Sequence, residues 1–432
     1  METVNGKAND RWNPKKGDLT MQAFLPADIL MPRVDSMEKW AVIACDQFSS
    51  QPAYWERVRE TAGDAPSTIN LILPEAELGT PQEAAHTALI NETMAKYRKE
   101  GVFQTYARSF VYVERTLESG AIRKGLVGMV DLDAYDYSTG STSAIRATEK
   151  TVVERIPPRM RVRKDAPIEL PHILMLCDDH DKVLIEPIAA GKETLPKLYD
   201  FDLMEGGGHI AGWLVQGKAV DDFEARLADY TAHVGEKYTG LPGVPMVFAV
   251  GDGNHSLATA KACYEELKKA HPGEDLSSHP ARFALVELEN IHDEAQVFEP
   301  IHRVITHTDP SAMLKALEDW CAPGGFPVEW YIGQDHGTVY LDKARSQLAV
   351  GVLQAFLDQY LSEHPGEIDY IHGDADLKEL AAQDGAIGFL LPAMEKSQLF
   401  RGVIADGILP RKTFSMGHAR EKRYYLEGRA IK

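Results

Sequence analysis

The sequence is poor in cysteine and contains no long run of apolar residues. Four cysteines occur in 432 residues, far apart and without the spacing of a metal site, which favours a reducing compartment. No apolar segment reaches the length of a membrane span, and residues 1–20 are polar, without the apolar core of a signal peptide. We therefore expect a cytoplasmic protein that has no membrane partner.

Positive charge is also scarce. Lysine and arginine number 46 against 65 aspartates and glutamates, for a formal net charge of −19. A negative protein repels nucleic-acid backbones, so we expect no nucleic-acid partner, although a local basic pocket is compatible with this balance. The apolar fraction of 44% and the charged fraction of 26% are typical of a soluble globular protein.

The common catalytic signatures are missing as well. The chain has no G-x-S-x-G elbow, no P-loop, no G-x-G-x-x-G after a strand, no H-E-x-x-H and no paired C-x-x-C. The enzyme classes that depend on these motifs are therefore disfavoured.

The most informative segment that is present runs from Pro245 to Ala270. Met246–Val250 is a short apolar run that predicts a buried strand, and it ends at Gly251-Asp252-Gly253. Apolar residues at helical spacing then predict an amphipathic helix over residues 257–270. A helix that begins directly after a strand directs its first N–H groups at one point, which suits a phosphate or a carboxylate.

Four polar side chains surround this turn: Asp252, Asn254, His255 and Ser256. They supply an acid, an amide, an imidazole and a hydroxyl, and their density favours a binding site. Asp252 and His255 could share a divalent ion with a bound phosphate, but two ligands do not define a metal site. The alternative is an ordinary turn capped by Asn254 or Ser256.

A second cluster is basic. Pro157-Pro158 precedes Arg159, Arg161 and Arg163. If this segment is extended, the period of two places the three guanidiniums on one face, where they suit a phosphate or another polyanion. A solvated strand face or a subunit contact is an equally weighted alternative, and a homo-oligomer is left open.

Three further positions carry weaker signals. Asp46 follows the strand-like run Trp40–Cys45, where α/β proteins often bind ligands, or it caps the following turn. His302 and Arg303 form a pair that binds anions or has a structural role. Pro410–Ser415 combines cations and hydroxyls beside a turn, or is a solvated basic tail.

Changes in pattern along the chain divide it into three parts. We expect a flexible arm over residues 1–20, a larger lobe over 21–305 and a smaller C-terminal α/β lobe over 306–432.

Asp252-Gly-Asn-His-Ser256 resembles the D-G-H-H-R signature of a prokaryotic family filed as domain of unknown function ten-fifteen. The resemblance covers nearly the whole chain from about residue 20. Further segments look like the same family in the same order: Trp40-Ala-Val-Ile-Ala-Cys-Asp-Gln47, Arg146-Ala-Thr-Glu-Lys150, Pro300-Ile-His-Arg303 and Leu409-Pro-Arg-Lys-Thr-Phe414.

The signature is similar to that of the ParB/sulfiredoxin-like superfamily, whose members bind nucleotide phosphates at this strand–turn–helix. One branch of that superfamily phosphorylates free L-serine. The resemblance implies an α/β fold with a ParB/sulfiredoxin-like site in the larger lobe. It also implies that Asp252, Gly253, Asn254 and His255 hold Mg²⁺ and the phosphates of ATP or ADP. Asp252 would be the metal ligand.

By the same resemblance, Asp46 or Glu149 would be the base that accepts the proton of a substrate hydroxyl. The sequence departs from the signature, because Asn254 and Ser256 replace a histidine and an arginine, and a bidentate phosphate clamp is lost. Substitutes for that clamp, and further candidate phosphate ligands, are Arg159, Arg161, Arg282, His302, Arg303 and Ser256.

The sequence therefore predicts a nucleotide-dependent phosphotransferase that acts on a small hydroxylated metabolite. One alternative is a nucleotide- or anion-binding regulatory module without catalytic activity. A second alternative is a hydrolase of phosphate esters.

Overall fold

The computed structural model describes residues 23–45, 48, 51–74, 77–151, 153–241 and 243–432. The predicted arm over residues 1–20 and the candidate base Asp46 lie outside the described residues. Within them, the mixed α/β architecture expected from the sequence is confirmed. No helix in these ranges combines the length and the apolar character needed to cross a bilayer.

Eleven α-helices are defined in the described part of the chain: α1 (Met37–Trp40), α2 (Pro52–Ala62), α3 (Glu83–Lys99), α4 (Ile156–Arg163), α5 (Glu186–Gly191), α6 (Lys218–His233), α7 (Asn254–Ala270), α8 (Pro310–Leu317), α9 (Ala349–Glu363), α10 (Asp374–Ala381) and α11 (Lys396–Asp406). Local signals start several of them. Asp309 caps α8 by accepting a hydrogen bond from the Ala312 N–H, and Pro310 occupies its first turn.

The larger sheet contains thirteen strands: β1 (Phe24–Leu25), β2 (Ala27–Pro32), β3 (Phe103–Thr116), β4 (Ile122–Asp131), β5 (Tyr135–Asp136), β6 (Ile145–Ala147), β7 (Ile168–Glu169), β8 (Leu174–Cys177), β9 (Lys197–Asp202), β10 (His209–Val215), β11 (Phe248–Asp252), β12 (Phe283–Asn290) and, near the C-terminus, β19 (Gly428–Ala430). Its main path runs β5-β6-β11-β8-β12-β4-β3-β2-β19-β7.

The smaller sheet contains six strands: β13 (Phe298–Thr306), β14 (Cys321–Ile332), β15 (Asp335–Leu341), β16 (Glu367–His372), β17 (Ile387–Leu390) and β18 (Phe414–Met416). It begins before residue 306, and the chain returns to the larger sheet with β19. The division into lobes at residue 305 stays a prediction.

Alternate residues of β3 face two different cores. Phe110 and Tyr112 pack in the cluster that also contains residues of the smaller sheet. Val111 and Val113 pack in a second cluster, with Trp40. Because successive side chains of a strand point to opposite faces, the larger sheet is covered on both sides.

The register of two parallel strands brings two carboxylates together. β6 pairs with β11 in parallel, with Ala147 opposite Val250. Glu149 and Asp252 each come two residues later. Since the carboxyl ends of parallel strands lie at the same edge of a sheet, these side chains are neighbours at that edge.

The extended conformation expected for Arg159–Arg163 is wrong, because these residues belong to α4. The two prolines before them stand in the first helical turn. The N–H groups of that turn have no partner within the helix, so proline loses no hydrogen bond there, and its fixed φ favours a helix. The period of two therefore does not apply, and the three arginines do not share one face.

Candidate functional site

The strand–turn–helix around Gly253 has the geometry that the sequence predicts. Gly253 has a φ of 81° and separates β11 from α7. A Cβ atom at this position would lie 3.0 Å from the Ile173 Cγ1 atom and 3.1 Å from its Cα atom. Glycine is therefore required both by the left-handed backbone and by the close approach of the neighbouring chain. The first N–H groups of α7 face away from the helix body at this turn.

The turn opens into a cleft of about 540 Å³, to which both sheets contribute. Asp252, Gly253, Asn254, His255 and Ser256 all line it. The lining also includes eight cationic side chains: Lys150, Arg155, Arg159, Arg163, Arg411, Lys412, Lys422 and Arg423. Among the described residues, three carboxylates oppose them: Glu149, Glu169 and Asp252. Two of these cations are paired with buried carboxylates: Arg163 with Glu169, and Arg423 with Glu287 and Glu427. The other six still outnumber Glu149 and Asp252, so the cleft is positive in a protein that is negative overall.

Glu149 lines the cleft and is partly buried. Its carboxylate accepts a hydrogen bond from the Lys412 N–H at 3.0 Å. Burial raises the pKa of this carboxyl, and the negative charge of Asp252 acts in the same direction, whereas Lys412 and Lys422 oppose it. Such a carboxyl holds a proton to a higher pH than an exposed glutamate, which suits a group that exchanges protons with a ligand.

Asp252 lies beside Glu149 and has two partners. Its carboxylate accepts a hydrogen bond from the Gly253 N–H at 3.0 Å and lies 3.4 Å from the Lys422 ammonium. In the described ranges, no group of three or more His, Cys, Asp or Glu side chains could hold a metal ion by itself. Mg²⁺ commonly uses one or two carboxylates together with ligand phosphates, and Asp252 supplies one such carboxylate at the cleft.

Asn254 and His255 form the first residues of α7. Asn254 is 4% exposed, and its side-chain oxygen has no hydrogen-bond partner among the described residues. His255 lines the same part of the cleft. A buried amide oxygen without a partner is costly in a folded protein and is compatible with a polar ligand group beside it.

Two residues that sequence reasoning missed complete this end of the cleft. The Ser256 hydroxyl lies 2.7 Å from the Nε2 atom of His172. The Nδ1 atom of that imidazole lies 3.0 Å from the Tyr425 hydroxyl. The three residues are distant in sequence, so no local motif could have indicated the arrangement.

The predicted arginines separate into two groups. Arg159 and Arg163 line the cleft, because they are four residues apart on α4, which packs against α7. Arg163 also forms an ion pair with Glu169. Arg161 is exposed and does not line the cleft, because it points to the other side of α4 and pairs with Glu83 at 2.6 Å. Its predicted contact with phosphate is therefore not supported by the geometry.

His302 and Arg303 do not line the cleft either. Both are buried in the smaller sheet, where β13 is paired on two sides. His302 lies 3.0 Å from an Asp374 carboxylate oxygen and accepts the Leu391 N–H. The Arg303 guanidinium donates to the carbonyl oxygens of Arg411 and Lys412. The structural alternative for this pair thus accounts for its contacts.

The segment Pro410–Ser415 is part of the cleft rather than a solvated tail. The side chains of Arg411 and Lys412 line it, together with Tyr370 and His372 from β16. The Arg411 guanidinium donates to the Tyr370 hydroxyl at 2.7 Å and stacks on its ring. Burial lowers the pKa of His372, as do the nearby cations Lys412 and Lys422.

Comparisons with solved structures give low similarity over most of the chain. A free serine kinase variant in complex with AMP has 11% identity and a TM-score of 0.36, over 70% of this chain and 91% of its own. A free serine kinase variant in complex with ADP has 11% identity and a TM-score of 0.35, over 70% of this chain and 91% of its own. C-terminally truncated SbnI from Staphylococcus aureus has 10% identity and a TM-score of 0.34, over 67% of this chain and 81% of its own.

No curated protein matches the sequence. A family model, in contrast, matches residues 29–407, which is most of the chain. The chain belongs to the family described as "Protein of unknown function (DUF1015)".

Proposed function

We propose that the cleft binds the phosphates of a nucleotide and that the protein transfers a phosphoryl group to the hydroxyl of a small metabolite. One observation carries this proposal. Cations predominate in the cleft into which the N-terminus of α7 opens, in a chain whose net charge is −19. The relation to the ParB/sulfiredoxin-like superfamily stays a prediction.

The cations fit the demands of phosphoryl transfer. The transferred group and the leaving phosphate carry charge that fixed guanidiniums, ammonium groups and backbone N–H groups stabilise. Arg159 approaches from α4, and Arg411 and Lys412 approach from the loop that precedes β18 of the smaller sheet. Phosphates bound between them would be held from two sides.

The cleft also has an apolar wall that a nucleotide base can occupy. It is formed by Leu71, Ile72, Leu73 and Leu78, which precede α3. A cleft of about 540 Å³ is within the range of small-molecule sites. We assign the base to this wall and the phosphates to the turn at Gly253.

Glu149 is the candidate base within the described residues. Its raised pKa brings it closer to the range in which a general base works well. It would accept the proton of the metabolite's hydroxyl as the phosphorus–oxygen bond forms. Asp46 also stays a candidate for this role.

Asp252 would hold Mg²⁺ together with the nucleotide phosphates. The ion would neutralise charge on the phosphates when bound. The ion pair of Asp252 with Lys422 keeps this carboxylate in place in the absence of a ligand.

A thermal-shift and turnover experiment tests the proposal. ATP or ADP with Mg²⁺, at 100-fold its Kd, should stabilise the protein by about 2.7 kcal/mol. Phosphorus NMR with L-serine, L-threonine and L-homoserine as acceptors should then detect a new phosphate ester. Stabilisation without turnover of any acceptor would favour the regulatory module, and nucleotide hydrolysis alone would favour the hydrolase.

The Asp252→Asn variant isolates the metal role. It keeps the shape of the turn and the acceptor for the Gly253 N–H, but it removes the charge. We expect an unchanged melting temperature in the absence of ligand and a loss of the Mg²⁺-dependent part of nucleotide binding. Binding of nucleotide and Mg²⁺ equal to that of the parent would contradict this role.

A further inference from the structure

We propose that Ser256 is a nucleophile that accepts the phosphoryl group covalently, with His172 as its general base and Tyr425 as the residue that positions His172. This inference rests on the proposed function for the identity of the phosphoryl donor. It goes further, because it requires a phosphoserine intermediate rather than direct transfer between two bound substrates.

The first support is the hydrogen bond between the nucleophile and the base. The Ser256 Oγ atom lies 2.7 Å from the His172 Nε2 atom. This distance is within the range in which an imidazole takes a hydroxyl proton during attack. An isolated serine hydroxyl is a weak nucleophile, and an adjacent base is the usual way to activate it.

The second support is the group that orients the base. The Tyr425 hydroxyl lies 3.0 Å from His172 Nδ1, and its ring packs edge-on against the imidazole, with centroids 5.3 Å apart. When Nδ1–H donates to the phenol oxygen, Nε2 is left as the acceptor for the Ser256 hydroxyl. In this proposal Tyr425 accepts from Nδ1–H and so holds His172 in the tautomer whose Nε2 can act as a base.

The third support is the position of the hydroxyl in the cleft. Ser256 stands in the first turn of α7, beside Asn254 and His255. The helix N-terminus and the cations of the cleft can stabilise a phosphoryl group that arrives there. Ser256, His172 and Tyr425 all line the same cleft.

The reaction balances without a further reagent. In the first step the Ser256 Oγ–P bond forms and the phosphoanhydride P–O bond to the terminal phosphoryl group of the nucleotide breaks. The shortened nucleotide leaves with the electron pair. The Ser256 proton passes to His172 Nε2. In the second step the metabolite's hydroxyl attacks phosphorus and gives its proton to Glu149. The Ser256 Oγ–P bond breaks, Ser256 takes its proton back from His172, and Glu149 releases the metabolite's proton to solvent.

A fluorophosphonate probe tests the activation of Ser256 independently of any nucleotide. The Oγ–P bond forms, the P–F bond breaks, fluoride leaves, and the proton goes to His172. Intact mass and peptide mapping of the parent should place the label on Ser256, and Ser256→Ala should abolish it. Ser415→Ala is the matched control, because Ser415 also lines the cleft but donates to the Gly417 carbonyl.

The roles of His172 and Tyr425 are separated by the pH profile of labelling. His172→Gln should slow labelling by about 100-fold and remove its pH dependence between about pH 5 and 8. Tyr425→Phe keeps the ring, and we expect a smaller loss with the pH dependence retained. Melting temperatures of all variants identify any that fail to fold.

The outcomes separate this inference from the proposed function. Labelling of Ser256 without turnover of any nucleotide would support the nucleophile and reject the nucleotide as donor. Turnover of nucleotide by Ser256→Ala at the parent's rate would overturn the covalent intermediate and leave the proposed function intact. Absence of any label on Ser256 in the folded parent would also overturn it.

Discussion

The guanidinium of Arg303 donates a hydrogen bond to the backbone carbonyl oxygen of Arg411 at 3.0 Å. It donates a second to the carbonyl oxygen of Lys412 at 2.9 Å. Arg303 is fully buried in the smaller sheet, whereas the side chains of Arg411 and Lys412 line the cleft. A buried cation therefore fixes the loop that carries two cations of the site.

Replacing this buried cation should affect both stability and the site. Arg303→Ala removes the donor from one buried and two part-buried carbonyl oxygens, and a buried acceptor left unpaired costs about 1–3 kcal/mol. We expect the free energy of unfolding in urea to fall by about 3 kcal/mol. Exposed Arg345, which stacks on Trp320 in the same part of the fold, is the control. A change of less than about 1 kcal/mol for Arg303→Ala would show that the loop is held by other contacts.

The two faces of α4 provide a matched pair for nucleotide binding. Arg159→Ala removes a cation from the cleft. Because a hydrogen bond to a charged group contributes about 1.5–3 kcal/mol, the Kd for the nucleotide should rise at least roughly tenfold. Arg161→Ala removes the same charge from the other face, where it pairs with Glu83, and should leave the Kd within about twofold. Isothermal titration with ATP or ADP measures both. Equal effects of the two substitutions would point to the net charge of the chain instead of a contact in the cleft.

The strand–turn–helix at residues 246–270 could be predicted because its signals are local. A buried strand, two glycines and a helical apolar period follow one another without interruption, and the structure has β11, Gly253 and α7 in this order. The arginine segment was predicted wrongly for a local reason too. A proline pair favours an extended backbone before it, but prolines are also common in the first turn of a helix, where α4 has them.

The rest of the site depends on tertiary structure that no local pattern contains. His172 precedes β8 and Tyr425 precedes β19. His172 meets both Ser256 and Tyr425 because both strands join the larger sheet. The cations at Arg411 and Lys412 come from a segment that looks like a solvated tail in the sequence. Asp46, the other predicted base, lies outside the described residues.

Gly253 should not tolerate a side chain, for two separable reasons. Gly253→Ala forces an alanine into a left-handed backbone and also places its Cβ against Ile173. Gly273→Ala has the backbone strain alone, because φ is +85° there and no atom lies within 4 Å of the added Cβ. We expect a loss of about 1 kcal/mol at Gly273 and about 2–3 kcal/mol at Gly253 in urea denaturation. Gly253→Ala should also weaken nucleotide binding. Equal losses at the two positions would argue against the close approach of Ile173.

Glu149 should make the stability of the protein depend on pH, because burial raises its pKa in the folded state. A carboxyl with a raised folded pKa binds more protons when folded than when unfolded. Its stabilising contribution is complete below the unfolded pKa of about 4.3 and is lost as pH rises through the folded pKa.

Glu149→Gln removes this dependence while keeping an acceptor for the Lys412 N–H. The stability of the variant relative to the parent should therefore increase from pH 4 upward in urea denaturation, while phosphoryl transfer is lost. Glu363→Gln, at an exposed position of α9, corrects for the loss of one negative charge. A stability difference that is constant across pH would show that Glu149 ionises as readily in the folded protein as in the unfolded chain, and would remove the argument for its role as the base.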